Sequence, residues 1–81
     1  MTLIGPQIRA ARAFLGWSHS DLAKHSGISV STIKRFEGTQ SVPKNRMNNL
    51  EAIKQTLESH GIEFIGTENN GPGVILHKIE N

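Results

Sequence analysis

Apolar positions recur at three- and four-residue intervals through the first sixty residues, then crowd into short continuous runs from Ile62 onward. Ile8, Ala11 and Leu15 follow Pro6 at helical spacing, with Arg9 and Arg12 interleaved, and predict a first helix that ends at Gly16. Pro6 suits a helix start because its missing N–H would have had no partner there. Ser18 followed by Asp21 is a capping-box-like pair with an acid well placed against the helix dipole, and predicts a second helix running to about Ser26. Ser29 is placed to cap a third, Val30 to about Phe36, which carries Ile33 and Phe36 on one face and stops near Gly38. After a polar loop from Thr39 to Pro43, a fourth helix is expected from Lys44 to Ser59. Its buried stripe is Met47, Leu50, Ile53 and Leu57, and Gly61 terminates it.

The period then changes. Ile62–Thr67 and Val74–Ile79 are β-prone runs on either side of the turn-rich Glu68-Asn69-Asn70-Gly71-Pro72-Gly73, and predict a β-hairpin. Both strands are apolar on more than one face: Ile65 is out of phase with Ile62 and Phe64, and Val74-Ile75-Leu76 is continuous. A two-stranded hairpin alone is marginally stable, so such strands call for a helix surface beneath them or another sheet edge alongside. The expected fold class is mainly α: a four-helix bundle over residues 1–60, followed by a short β-hairpin tail over residues 61–81 that serves as a dimerisation element.

Within this frame the seventeen residues Leu22–Gly38, LAKHSGISVSTIKRFEG, have the spacing of a helix-turn-helix. Ala23 is small where two helix backbones must approach. Gly27 accepts the positive φ that a tight turn demands. The second helix of the pair keeps an outward face free to enter a DNA major groove.

Charge sharpens this. Residues 1–46 carry Arg9, Arg12, Lys24, Lys34, Arg35, Lys44 and Arg46 against Asp21 and Glu37, a net of +5. Residues 47–81 carry Lys54 and Lys78 against Glu51, Glu58, Glu63, Glu68 and Glu80, a net of −3. The basic charge thus lies on the part that holds the helix-turn-helix, where a phosphate-facing surface needs it. Eighty-one residues are one small domain, a size at which the core is marginal and an oligomer often helps. The absence of cysteine rules out disulfides and thiolate metal sites. No apolar run approaches the roughly 20 residues that span a bilayer, and no signal segment opens the chain. A cytoplasmic protein is expected.

The segment Ile8–Leu57 resembles the Cro and phage-repressor (Xre-like) helix-turn-helix family. The resemblance rests on Ile8–Leu15, Gly16-Trp17-Ser18, Leu22-Ala23, Gly27-Ile28-Ser29, Ile33 and Phe36-Glu37-Gly38. The tail departs from the family's usual fifth helix and is similar to that of small bacterial regulators ending in a Gly-Ile-Glu-Phe strand and a Pro-Gly-Val strand. The resemblance implies an internal ion pair between Arg12 and Glu37 that orients the fold. It also implies a recognition face of Ser29, Val30, Ser31 and Arg35, bordered by Thr32 and Lys34. Residue chemistry agrees: Ser31 can bond a base edge, Val30 can touch a thymine methyl, and Arg35 can grip guanine O6 and N7. Ser18 and His19 open the second helix, whose N-terminus the resemblance sets against the DNA backbone, and helix N-termini bind phosphate readily. Lys44 and Arg46 match positions of further phosphate contacts. Arg35, Lys44 and Arg46 are equally compatible with a merely solvated surface, whereas for Lys34 the phosphate contact is the favoured reading.

Other chemistry is weak. His19 and His25 are six apart on one helix and miss the i,i+4 face of a two-histidine metal site, so no metal and no cofactor are expected. Ser18, His19 and Asp21 are triad residue types, but neighbours on one helical turn diverge. Gly71-Pro72-Gly73 lacks the Lys-Ser/Thr of a phosphate loop. Trp17 reads as a wedge at the first interhelical junction. No catalytic residue is assigned and no enzyme is expected. The leading expectation is a sequence-specific transcriptional regulator, a repressor binding double-stranded DNA as a homodimer through residues 62–79. The alternative is an antitoxin-like or adaptor protein whose tail engages a toxin-like protein partner.

Overall fold

The computed structural model describes residues 3, 5–38, 47–67 and 69–77. Four helices precede an antiparallel hairpin: α1 (Gly5–Leu15), α2 (His19–Ser26), α3 (Val30–Glu37), α4 (Met47–Ser59), β1 (Ile62–Thr67) and β2 (Asn70–Leu76). The fold is thus mainly α with a terminal two-stranded hairpin. Lys44, where the fourth helix was expected to begin, and Ile79, where the second strand was expected to end, lie outside the described residues.

One core joins every element. Ile8 and Ala11 of α1, Leu22 of α2, and Ile33 and Phe36 of α3 are buried together with Leu50, Ile53 and Leu57 of α4 and with Ile62 and Phe64 of β1. Each large apolar side chain removed from water in this way contributes about 1.5–3 kcal/mol before ordering entropy is set against it. Met47 does not join the α4 stripe; it is 40 % exposed. It opens the helix, three residues before Leu50, the first position of the stripe that joins the core.

The hairpin lies against the helices through one face. Burial alternates along β1, with Ile62 and Phe64 inward and Glu63 and Ile65 outward. Across the ladder, Leu76 pairs with Ile62 and Val74 with Phe64, while Ile75 pairs with Glu63 on the outer face. The second strand begins at Asn70, four residues earlier than the sequence pattern predicts. Thr67 pairs with Asn70, so the Gly71-Pro72-Gly73 stretch runs in the strand instead of the turn. Gly71 enters the strand in the left-handed region (φ 60°), which glycine accepts, and in a two-stranded sheet every strand is an edge, where a missing proline N–H is tolerated. The ladder shifts register between Ile65 and Thr67, at Gly66 (φ 75°). A Cβ at Gly66 would collide with the carbonyls of Gly71 and Asn70, so this bulge requires glycine.

Two further features tie the ends of the chain together. Gln7 of α1 is buried, and its Nε2 donates to the carbonyls of Ile65 (3.1 Å) and Gly73 (3.0 Å), one on each strand. Gly5 opens α1 where its backbone meets the end of α3; a Cβ there would run into the Phe36 and Glu37 carbonyls. At the α1–α2 junction Trp17 stacks on His25 (ring centroids 4.4 Å) and meets the edge of His60 at 4.7 Å. The His60 Nδ1 donates to the Thr56 carbonyl at 2.8 Å, which fixes that ring at the end of α4.

Candidate nucleic-acid interface

α2 and α3 are eight residues each, too short to be stable alone, and both depend on their caps. Ser18 caps α2: its hydroxyl accepts from the Asp21 N–H at 3.0 Å, and its own N–H donates to the Asp21 carboxylate at 2.9 Å. These bonds, backbone first, hold the Asp21 carboxyl below its ordinary range. Gly27 closes α2 in the left-handed conformation (φ 76°), its N–H donating to the Ala23 carbonyl. Ser29 then caps α3, its hydroxyl accepting from the Thr32 N–H. The chain between the two helices is therefore only Gly27, Ile28 and Ser29, with Ile28 packed on the core.

α3 has two unlike faces. Ile33, Phe36 and Glu37 are buried, while Ser31, Lys34 and Arg35 are exposed; Val30 and Thr32 are half-buried at the border. Ser29 is exposed, but its hydroxyl is occupied: it donates to Thr32 Oγ1 at 2.9 Å and stands 3.3 Å from Ser31 Oγ. Ser29 therefore serves the helix start first, and the outward chemistry of α3 falls to Ser31, Lys34 and Arg35. At a rise of 1.5 Å per residue the helix is about 12 Å long, close to the width of a B-DNA major groove.

Beneath this face lies a buried ionic centre. Arg12 of α1 donates from Nε to Glu37 Oε2 (2.7 Å) and from Nη2 to Glu37 Oε1 (2.9 Å), a fork-to-fork pair. Its Nη1 donates to the Trp17 carbonyl at 3.0 Å, so one guanidinium ties α3 to the α1–α2 turn. His19 of α2 closes the centre, with Nε2 3.2 Å from Glu37 Oε1. Burial pushes the Glu37 carboxyl up, but the Arg12 bonds and charge, with His19 behind them, outweigh it and hold the group below its ordinary range. The same Glu37 contact raises Arg12. The pairing of Arg12 with Glu37 is legible in the sequence only through resemblance. The approach of His19 is not legible there at all, because spacing alone does not bring residues 19 and 37 together.

Glu37 being neutralised, Arg9, Lys24, Lys34 and Arg35 stand exposed on residues 5–38 with Asp21 as the exposed acid of that span. Beyond that span, Glu51 and Glu58 of α4 and Glu63 of β1 are exposed. Ser18 and His19 lie together at the α2 N-terminus, and Ser29 to Arg35 lie together on α3. Lys44 and Arg46 lie outside the described residues. Among the described residues no group of three histidine, cysteine or carboxylate side chains could hold a metal ion. No helix among them is long and apolar enough to cross a membrane. No protein-family profile matches the chain, and no curated protein matches it.

Proposed function

We propose that this chain is a sequence-specific DNA-binding regulator, a repressor of the Cro/phage-repressor type that acts in the cytoplasm as a homodimer on a two-half-site operator. The observation that carries the reading is α3. It is a capped, groove-length helix anchored by Ile33 and Phe36, and it presents Ser31, Lys34 and Arg35 outward behind a tight Gly27 turn from α2. In this reading Lys34 and the α2 N-terminus at Ser18 and His19 meet phosphates, with Lys44 and Arg46 adding contacts. Ser31, Val30 and Arg35 face base edges. Arg12 and Glu37 hold α1, α2 and α3 in register. No catalytic group and no cofactor enter it.

In this reading the homodimer contact lies on the hairpin; supporting it, the outer face exposes Ile65 and Ile75, with Leu76 also 37 % exposed. On a two-half-site operator, a two-fold contact there has to set the two α3 helices about 34 Å apart, one duplex turn. The same exposed side chains support a second reading, an antitoxin-like or adaptor protein whose tail binds a foreign chain. Duplex binding measured across salt separates the two. Four to eight phosphate contacts per dimer give a log–log salt slope of roughly −4 to −7. A flat slope, or no binding at about 50 mM salt, leaves the adaptor reading in place of the regulator.

A further inference from the structure

We infer that His19 is a proton-linked phosphate ligand, positioned by the buried Glu37 carboxylate, so that duplex binding takes up a proton on its ring. The inference rests on the DNA-binding reading above. A carboxylate oxygen only accepts, so the His19 nitrogen that faces Glu37 Oε1 at 3.2 Å, Nε2, carries its hydrogen there. In the neutral ring this leaves Nδ1 as a lone-pair acceptor. A phosphate oxygen is also an acceptor, so the neutral ring has no donor to offer it. Once protonated, the ring keeps Nε2–H on Glu37 and adds Nδ1–H as a charged donor.

The surroundings favour this assignment. The charged groups at the ring are Arg12 from α1, Glu37 from α3 and, two residues along its own helix, Asp21. Arg12 and Glu37 cancel in their fork-to-fork pair, and Asp21 is turned back onto the Ser18 N–H. A proton on His19 therefore adds one net positive charge to the centre, and an approaching phosphate stabilises it. The capping box uses the Ser18 and Asp21 amides and leaves those of His19 and Ser20 at the helix end, so a charged Nδ1–H on His19 adds to them as a donor toward an anion. The His19 side chain remains 32 % exposed, against 6 % for Glu37. Glu37 is thus a positioning residue, and His19 is the one that meets the anion.

The test is binding of a mixed-sequence duplex of about 24 base pairs by the full chain and by His19→Gln. The glutamine amide still donates to Glu37 and does not titrate. From about pH 8 to about pH 6, wild-type affinity is expected to rise about three- to tenfold per protomer. Its salt slope should steepen by about 0.9 per protomer at the lower pH, as expected when one more phosphate is neutralised. His19→Gln should show neither change. A pH-insensitive wild type, or a His19→Gln chain that keeps the full pH response, overturns the inference while leaving duplex binding intact. No duplex binding at either pH removes the DNA-binding reading and this inference with it. NMR titration of the His19 ring in the wild-type chain needs no variant: the midpoint must move upward when duplex is added, and an unmoved midpoint contradicts the assignment.

Discussion

α3 and the hairpin are built alike and finished differently. Each buries one face in the shared core, Ile33 and Phe36 from α3, Ile62 and Phe64 from β1. α3 then turns Ser31, Lys34 and Arg35 to solvent, whereas the hairpin turns out Ile65 and Ile75 beside the Glu63–His77 pair. A cationic, hydroxyl-bearing surface suits a polyanion, because its charges stay solvated until counterions are released. An apolar surface is stabilised by meeting another apolar surface. The two outer faces therefore differ in the chemistry they offer, and the common core holds them in a fixed relation.

The largest expected effect separates the inner from the outer side of the hairpin. Phe64→Ala should destabilise the fold by about 3–5 kcal/mol, read by denaturant unfolding, because it empties a core site. Ile75→Lys, on the outer side, should leave stability within about 0.5 kcal/mol while converting dimer to monomer in sedimentation. Equal destabilisation by both would place Ile75 in the core and end the distinction.

Next is the ionic centre under α3. Glu37→Gln leaves Arg12 largely buried without its charge partner and should cost about 2–3 kcal/mol, allowing for the partial exposure of the guanidinium. Its pH signature has a definite sign. Glu37 is held below its ordinary value in the folded protein. Its stabilisation is therefore complete above the unfolded-state value of about 4.3 and is lost as pH falls through the depressed folded value. Thermal melts of wild type should lose stability across that acid window, and Glu37→Gln should lose less. Identical acid profiles for the two chains would mean that Glu37 contributes nothing through its charge.

A smaller effect is expected where α1 holds the hairpin. Gln7→Leu removes the donor shared by the Ile65 and Gly73 carbonyls and should cost about 1–2 kcal/mol. Hydrogen exchange in that variant should accelerate in β1 and β2 and stay slow in α2 and α3. Uniform acceleration would show that Gln7 supports the whole core and not the hairpin in particular.

These contrasts follow what the sequence makes legible. The caps Ser18, Asp21 and Ser29, the stop at Gly27 and the stripes of α1, α3 and α4 all act within a few residues, so local pattern reveals them. Gly5 and Gln7 are different: each is explained only by atoms at least 31 positions away, the Phe36 carbonyl for Gly5 and the two strand carbonyls for Gln7. The early start of β2 is obscured because Gly-Pro-Gly is compatible with a turn and with an edge strand. His19 is legible as a residue at the opening of α2, but its contact with Glu37 depends on how α2 and α3 pack. Met47 shows the opposite error, a periodic position that opens its helix ahead of the stripe that joins the core.

The smallest effect on stability carries the greatest weight for function. Lys34→Ala and Arg35→Ala should each leave unfolding within about 0.5 kcal/mol of wild type, as exposed helix positions. The most direct test is selection from a randomised duplex library by wild type and by Arg35→Ala. Wild type should enrich a two-fold symmetric site with half-sites about 10 base pairs apart. Arg35→Ala should lose preference at one base pair per half-site, a discrimination of about 1–3 kcal/mol. No enrichment by wild type, or the same preferred site for both chains, would contradict the assignment of α3 as the helix that reads DNA.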